Sequence, residues 1–250
     1  MPYLRLLLLA CVVAWLPGCD NTPDTDEPAP EGALTVLPVG DSRVQGARPR
    51  FESYRYELWK NFVSDDQPVD FVGPLDDEAS YPGFQGRRFD DDHAGVGGFT
   101  TLDVLNSFDE IQGSLDEAPG VVLLGIGGND LLSNRTPEET FASLNEIIDR
   151  FQAAHPNATI IVEQIAPGLS RFMTAERQRV FDGYNALIET LPANQTTATS
   201  TILLVNMAED WEDRYMADNV HYNEAGAKAV ADRYYEVIDA TFFEVAQESR

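Results

Sequence analysis

The sequence predicts a three-layer α/β/α sandwich around a five-stranded parallel sheet, and two observations carry that expectation. Short apolar runs alternate along the chain with longer stretches whose apolar residues recur at helical spacing, the pattern of successive βαβ units. Several of the runs are apolar at consecutive positions, as strands covered on both faces must be.

The expected strands span residues 34–39, 69–72, 121–126, 159–165 and 202–206. Between them, Phe141, Leu144, Ile147, Ile148 and Phe151 fall on one helical face, and so do Val180, Phe181, Tyr184, Leu187, Ile188 and Leu191. The first of these helices carries its own start signal: Thr136 as cap, Pro137 in the first turn and Glu139 three residues after the cap. A last helix over residues 224–245 buries Val230, Tyr234, Val237 and Ile238, with Asn223 available to cap it. In such a sheet ligands bind beyond the carboxyl ends of the strands, so chemistry is expected in the loops that follow them.

The amino-terminal segment reads differently. Arg5 precedes an apolar run over residues 6–16, and Pro17-Gly18-Cys19 follows it. This resembles a bacterial lipoprotein export signal, residues 1–18, with Cys19 as the lipidated residue. Pro17 departs from the usual small residue two positions before the cysteine, and an ordinary secreted protein with a free Cys19 stays open. The run of 11 residues is well short of the ~20 that a membrane-crossing helix needs. Residues 19–32 hold Pro23, Pro28, Pro30 and several acids without a large apolar side chain, which marks a tether. A single catalytic domain over residues 33–250 is the simplest remaining organisation, acting as a monomer and held to a membrane only through the amino-terminal lipid, in the periplasm or at the cell surface.

Composition excludes several function classes. The two cysteines are Cys11 and Cys19, so the folded part has no thiol for catalysis, thiolate metal binding or a disulfide framework. With 42 acidic against 17 basic residues and a formal net charge of −25, nucleic acid is excluded as a partner, and a neutral substrate fits better than an anionic one.

Four segments carry candidate chemistry. Gly40-Asp41-Ser42 follows the first expected strand, where Ser42 is either a nucleophile at the sheet edge or part of an ordinary turn and helix cap. The glycine-rich stretch from His93 to Thr100 includes Gly98, whose backbone N–H can approach a substrate oxygen closely; a flexible loop is the plainer alternative. Gly127-Gly128-Asn129-Asp130 closes the third strand. Asn129 offers an amide there for a developing oxyanion, whereas Asp130 reads as a turn or cap residue. Asp218-Asn219-Val220-His221 lies between the last strand and the last helix, with a spacing that lets a carboxylate fold back onto an imidazole.

Taken together and in this order, the four segments resemble the SGNH (GDSL) hydrolase superfamily. The resemblance implies a flavodoxin-like α/β/α fold and a serine esterase. It further implies Ser42, His221 and Asp218 as catalytic triad and Ser42, Gly98 and Asn129 as oxyanion hole, with no metal or organic cofactor. Ser53-Tyr54-Arg55-Tyr56-Glu57-Leu58-Trp59, residues 69–73 and Asp92-His93-Ala94-Gly95 look like the family 3 carbohydrate esterases, including acetylxylan esterases. A small ester or an acetylated carbohydrate is then the expected substrate. Ala94 and Val96 depart from the fuller His-Glu-Gly-His pattern of those enzymes. Arg43 stands where many relatives have an apolar residue, and with His93 it is a candidate for substrate contact. Rival readings are a lysophospholipase or thioesterase of the same superfamily and a glycan-binding module without catalysis.

Other residues have simpler roles. His155 at a helix end reads as structural. Asp90, Asp91 and Asp92 read as a solvated acidic loop rather than a calcium site. Tyr54, Tyr56 and Trp59 could form a sugar platform, but their helical spacing suits packing against the sheet.

Overall fold

A computed structural model describes residues 29–244 apart from Glu78 and Asp116. The export signal, Cys19 and most of the tether lie outside the described residues. The strands are β1 (Leu34–Gly40), β2 (Val69–Phe71), β3 (Ala94–Gly95), β4 (Val121–Gly125), β5 (Thr159–Gln164) and β6 (Ile202–Asn206). The helices are α1 (Ser42–Gln45), α2 (Arg55–Ser64), α3 (Thr101–Asn106), α4 (Phe108–Gly113), α5 (Gly128–Leu132), α6 (Pro137–Ala154), α7 (Ala175–Ile188), α8 (Leu191–Gln195) and α9 (Glu224–Ile238).

All strand pairs are parallel, in the order β2-β1-β4-β5-β6. This is the flavodoxin-like order of a doubly wound sheet with an added two-residue strand. Successive strand residues point to opposite layers, as the period of two requires. Leu37, Val39, Val122, Leu124, Ile160 and Val162 pack in the core under α3 to α8. Val36, Val121, Leu123 and Ile161 pack in the other, under α2 and α9. That is why these strands are apolar at consecutive positions.

Pro38 explains the added strand. Proline has no N–H to give a ladder and is avoided inside central strands. In β1 the even residues bond towards the β2 side, since Leu34 N–H donates to Pro68 O and Val36 O accepts from Val72 N–H. Pro38 therefore faces that side, in the gap after β2 leaves β1 at Val36 and before β3 joins it at Val39. The chain departs between residues 72 and 93 and returns at the carboxyl end of β1. That return delivers the glycine-rich stretch to the edge where Ser42 sits.

The helix signals hold. Thr136 and Glu139 form a reciprocal capping box on α6, and Asn223 caps α9 by accepting from Gly226 N–H. The predicted helix ending at Leu191 is instead two, because Pro192 opens α8 in its first turn. The last helix is shorter than expected: α9 stops at Ile238 and Asp239–Phe243 continues as a π-helical turn. Among the described residues no helix is long and apolar enough to cross a membrane.

Candidate active site

Ser42 opens α1 directly after β1. Asp41 caps this helix by accepting from Arg43 N–H at 2.9 Å, so the turn-and-cap chemistry and the half-buried serine belong to the same device. Ser42 Oγ lies 2.9 Å from Nε2 of His221, and Nδ1 of His221 lies 2.8 Å from Oδ2 of Asp218. With the carboxylate accepting at Nδ1, the proton sits there and Nε2 is free to accept from the serine hydroxyl. Ser42 and the Asp218–His221 pair, far apart in sequence, thus form one continuous relay.

The acid is held by its own loop. Asp218 Oδ1 accepts from the N–H groups of Val220 at 2.9 Å and His221 at 2.8 Å. Burial pushes this carboxyl up, but those N–H donors and the His221 ring outweigh it and hold it below the ordinary carboxylate value. It therefore stays ionised beside the imidazole.

Gly98 and Asn129 reach the same place. Gly98 has φ +84°, a left-handed conformation that glycine takes without strain, although a β-carbon there would meet nothing within 4 Å. Conformation rather than space requires this glycine. Its neighbour Gly97 donates its N–H to Gln45 Oε1 at 2.7 Å, and a β-carbon on Gly97 would lie 3.8 Å from Ser42 Cβ. Asn129 lies in the first turn of α5, and its Nδ2 donates to Phe99 O at 2.9 Å and Asp41 Oδ2 at 3.3 Å. The amide thus ties together the serine turn and the glycine loop. Asp130 accepts from the N–H and hydroxyl of Thr101 at 2.8 and 2.7 Å, capping the start of α3, and pairs with Arg135 at 2.6 Å.

Two residues expected to contact substrate are engaged or enclosed by the protein itself. Arg43 turns away from the serine: Nε donates to Val220 O at 2.8 Å, one terminal nitrogen donates to Ala166 O at 2.8 Å and to Tyr222 Oη at 3.2 Å, and the guanidinium lies over the Tyr222 ring. Its donors serve the scaffold. His93 is 1% exposed. Its Nδ1 accepts from Gly95 N–H, while its buried Nε2 has no partner among the described residues. Burial pushes this imidazole down to about 3, so it is neutral and enclosed.

The remaining expectations divide. Tyr54, Tyr56 and Trp59 are all buried, which settles them as packing residues. His155 closes α6 with its ring against Gln112, a structural position. The acidic loop is half-buried and tied to the scaffold: Asp90 accepts from Phe71 N–H at 2.7 Å, and Asp91 accepts from Asp77 N–H at 3.2 Å. Burial pushes the Asp90 carboxyl up to about 7.

Several contributors had little or no sequence signal. Phe51 stacks on the His221 ring with centroids 3.9 Å apart and planes 11° from parallel. Gln45 fixes the glycine loop through Gly97. Glu163, at the carboxyl end of β5, lies buried near Arg43 and Asp41; Tyr234 Oη donates to it at 3.2 Å, and burial pushes it up to about 7. A polar residue closing an otherwise apolar strand was the available hint for Glu163.

Known proteins place this geometry. A family 3 carbohydrate esterase from Talaromyces cellulolyticus superposes with TM-score 0.70 at 25% identity, covering 83% of this chain and 97% of that one. A Clostridium thermocellum family 3 carbohydrate esterase gives TM-score 0.64 at 28% identity, covering 83% and 96%. An acetyl esterase variant crystallised with acetate shares the fold, with TM-score 0.71 at 24% identity, covering 85% of this chain and 99% of that one. The multidomain esterase of Ruminococcus flavefaciens is 24% identical over 227 residues, which are 83% of this chain. The chain spans only 29% of that relative's length. The profile of the GDSL-like lipase/acylhydrolase family matches residues 39–229, from the end of β1 into α9, and so takes in every segment of the site. On that match the chain belongs to the GDSL-like lipase/acylhydrolase family of ester hydrolases.

Proposed function

We propose that this protein hydrolyses short acyl esters, acetyl above all, carried on carbohydrates, through a Ser42–His221–Asp218 triad. The observation that carries this reading is the relay from Ser42 Oγ through His221 to Asp218, with contacts of 2.9 and 2.8 Å. The family 3 carbohydrate esterases among its structural relatives support the carbohydrate part.

In the proposed reaction, His221 Nε2 takes the Ser42 proton as the oxygen attacks the ester carbonyl. The tetrahedral oxyanion is met by the N–H groups of Ser42 and Gly98 and by the Asn129 amide. Asn129 must turn one donor from Asp41 or Phe99 towards it. His221 then gives its proton to the departing alcohol oxygen, leaving Ser42 acylated. Water deprotonated by the same imidazole attacks the acyl carbonyl, and collapse of the second tetrahedral adduct releases the carboxylic acid and restores the serine. Asp218 holds the ring and its charge throughout without itself taking the proton.

The test is acid release from a panel of acetylated glycans and from esters of increasing chain length, with Ser42→Ala as control. Acetate release that vanishes in the folded variant supports the proposal; failure to hydrolyse any short acyl ester overturns it. Activity rising with chain length favours a lysophospholipase or thioesterase instead. For location, we propose lipid attachment at Cys19, outside the described residues. Transfer of Cys19→Ala protein from the membrane to the soluble fraction is the expected result, and an unchanged distribution rejects it.

A further inference from the structure

A cleft of about 430 Å³ opens beside the acid–base loop, within the ~300–1,000 Å³ range of small-molecule sites. It lies at the carboxyl edge of the sheet, between the segment that follows β5 and the one that follows β6. Its lining residue Gly168 abuts the loop that carries Asp218 and His221. Leu169 N–H donates to Asn219 O at 2.9 Å, and Asn219 is the residue after Asp218. Gly168 passes so close that a β-carbon there would lie 2.4 Å from the same oxygen. Arg43, which holds both Val220 and Ala166, keeps this loop in register with the nucleophile.

The lining is mixed in a particular way. Met173 and the half-buried Trp211 supply apolar surface, while Ser170, Gln178 and Asp213 supply polar groups. Trp211 is held: its indole N–H donates to Met216 Sδ at 3.3 Å, and the Tyr215 and Tyr222 rings lie 5.0 and 5.2 Å away. Asp213 Oδ1 accepts from both the N–H and the hydroxyl of Ser170 at 2.7 Å, and these donors keep the carboxyl below its ordinary value. A fixed aromatic surface beside an ionised acceptor matches a ring with one apolar face and hydroxyls at its rim. It matches an alkyl chain poorly, since the chain would strip water from Asp213 and give nothing back. An anionic ligand would meet the same carboxylate and a chain of net charge −25.

We propose that this cleft is the subsite for the neutral sugar whose hydroxyl carries the ester. Bound there, the sugar stacks on Trp211 and donates hydroxyls to Asp213, with its acylated oxygen directed past Asn219 towards Ser42. The proposal rests on the esterase reading, because it assigns the alcohol half of that substrate.

The experiment uses the full chain and two substrates, acetylated neutral oligosaccharides (xylo-, manno- and cello-series) and 4-nitrophenyl acetate, which has no sugar. Trp211→Ala and Asp213→Asn are expected to raise KM for the best acetylated oligosaccharide about five- to tenfold, the scale of losing one anchoring contact. Activity on 4-nitrophenyl acetate is expected to stay within about twofold of the parent, the span of a surface change of ±0.5 kcal/mol. Because Trp211 also packs on Tyr222, Asp213→Asn decides the matter if Trp211→Ala weakens both activities. Calorimetric titration of the Ser42→Ala protein with the unacetylated oligosaccharides tests the cleft without catalysis. Binding there that Asp213→Asn weakens supports the subsite even if no ester is cleaved, an outcome that sinks the esterase reading alone. Oligosaccharide KM and binding unchanged in both variants, with 4-nitrophenyl acetate still cleaved, overturn the subsite and leave the esterase standing.

Discussion

Arg43 Nε donates to the carbonyl oxygen of Val220 at 2.8 Å, so the residue that follows Ser42 holds the loop that carries Asp218 and His221. Ser42 and His221 sit on segments 179 positions apart in sequence. One guanidinium spanning Val220, Ala166 and Tyr222 ties those segments together. A lysine keeps the cation near Asp41 and Glu163 but cannot present the same planar fork. Arg43→Lys is therefore expected to lower kcat about 10- to 100-fold, the scale of an ångström of misplacement, with the melting temperature nearly unchanged. Arg43→Met should lose both, since it leaves two buried carboxyls without their cation. Steady-state kinetics and thermal melts on the two variants separate positioning from folding.

Glu163 makes stability depend on pH. Burial pushes its carboxyl in the folded state from 4.5 up to about 7, so the folded protein binds this proton more tightly than the unfolded chain. The sign follows: the contribution is fully present below pH 4.5 and is lost as pH rises through 7. Relative to Glu163→Gln, the parent should lose on the order of 3 kcal/mol between pH 4 and pH 8. Denaturant unfolding of both proteins at the two pH values checks this, and a pH-independent difference would reject it.

Phe51 covers one face of the His221 ring at 3.9 Å, which orients the imidazole and favours its cationic form in the proposed reaction. Phe51→Leu keeps bulk but loses the aromatic face. A fall in kcat of about threefold to tenfold is expected, the scale of ~0.5–1.5 kcal/mol for such a pair. Phe51→Tyr should retain most of the parent activity.

Gly98→Ala tests conformation against space. No neighbour obstructs a methyl group, yet φ of +84° strains any other residue by about 1–2 kcal/mol. The loop is expected to relax out of that conformation and withdraw the Gly98 N–H, lowering kcat more than stability. If Asn129 serves the oxyanion as proposed, the loss for Asn129→Ala should be about a hundred- to a thousandfold. Asn129→Asp should be at least as severe, because it sets a second carboxylate against Asp41.

The strand positions were legible because a strand covered on both faces can be read from its apolar run alone. β4 and β5 end within one residue of expectation. The segments that build the site were legible as motifs, because serine, asparagine and the aspartate–histidine pair each need a particular residue type. Their supports were not. Gln45 and Phe51 act through contacts made only after folding, and Arg43 looked like a substrate ligand because sequence shows a side chain's charge but not its direction. β3 escaped because two residues carry no period, and Pro38 records the break that creates its place only once the ladder is seen.

The direction of β1 has a practical consequence. Leu34 enters at one edge of the sheet and Ser42 follows at the other, and a strand of seven residues separates them, about 23 Å at 3.3 Å per residue. A support or carrier reached through the start of β1 therefore lies on the side remote from Ser42. Immobilising the protein through that end should leave Ser42 facing the bulk solution, without the support in the way.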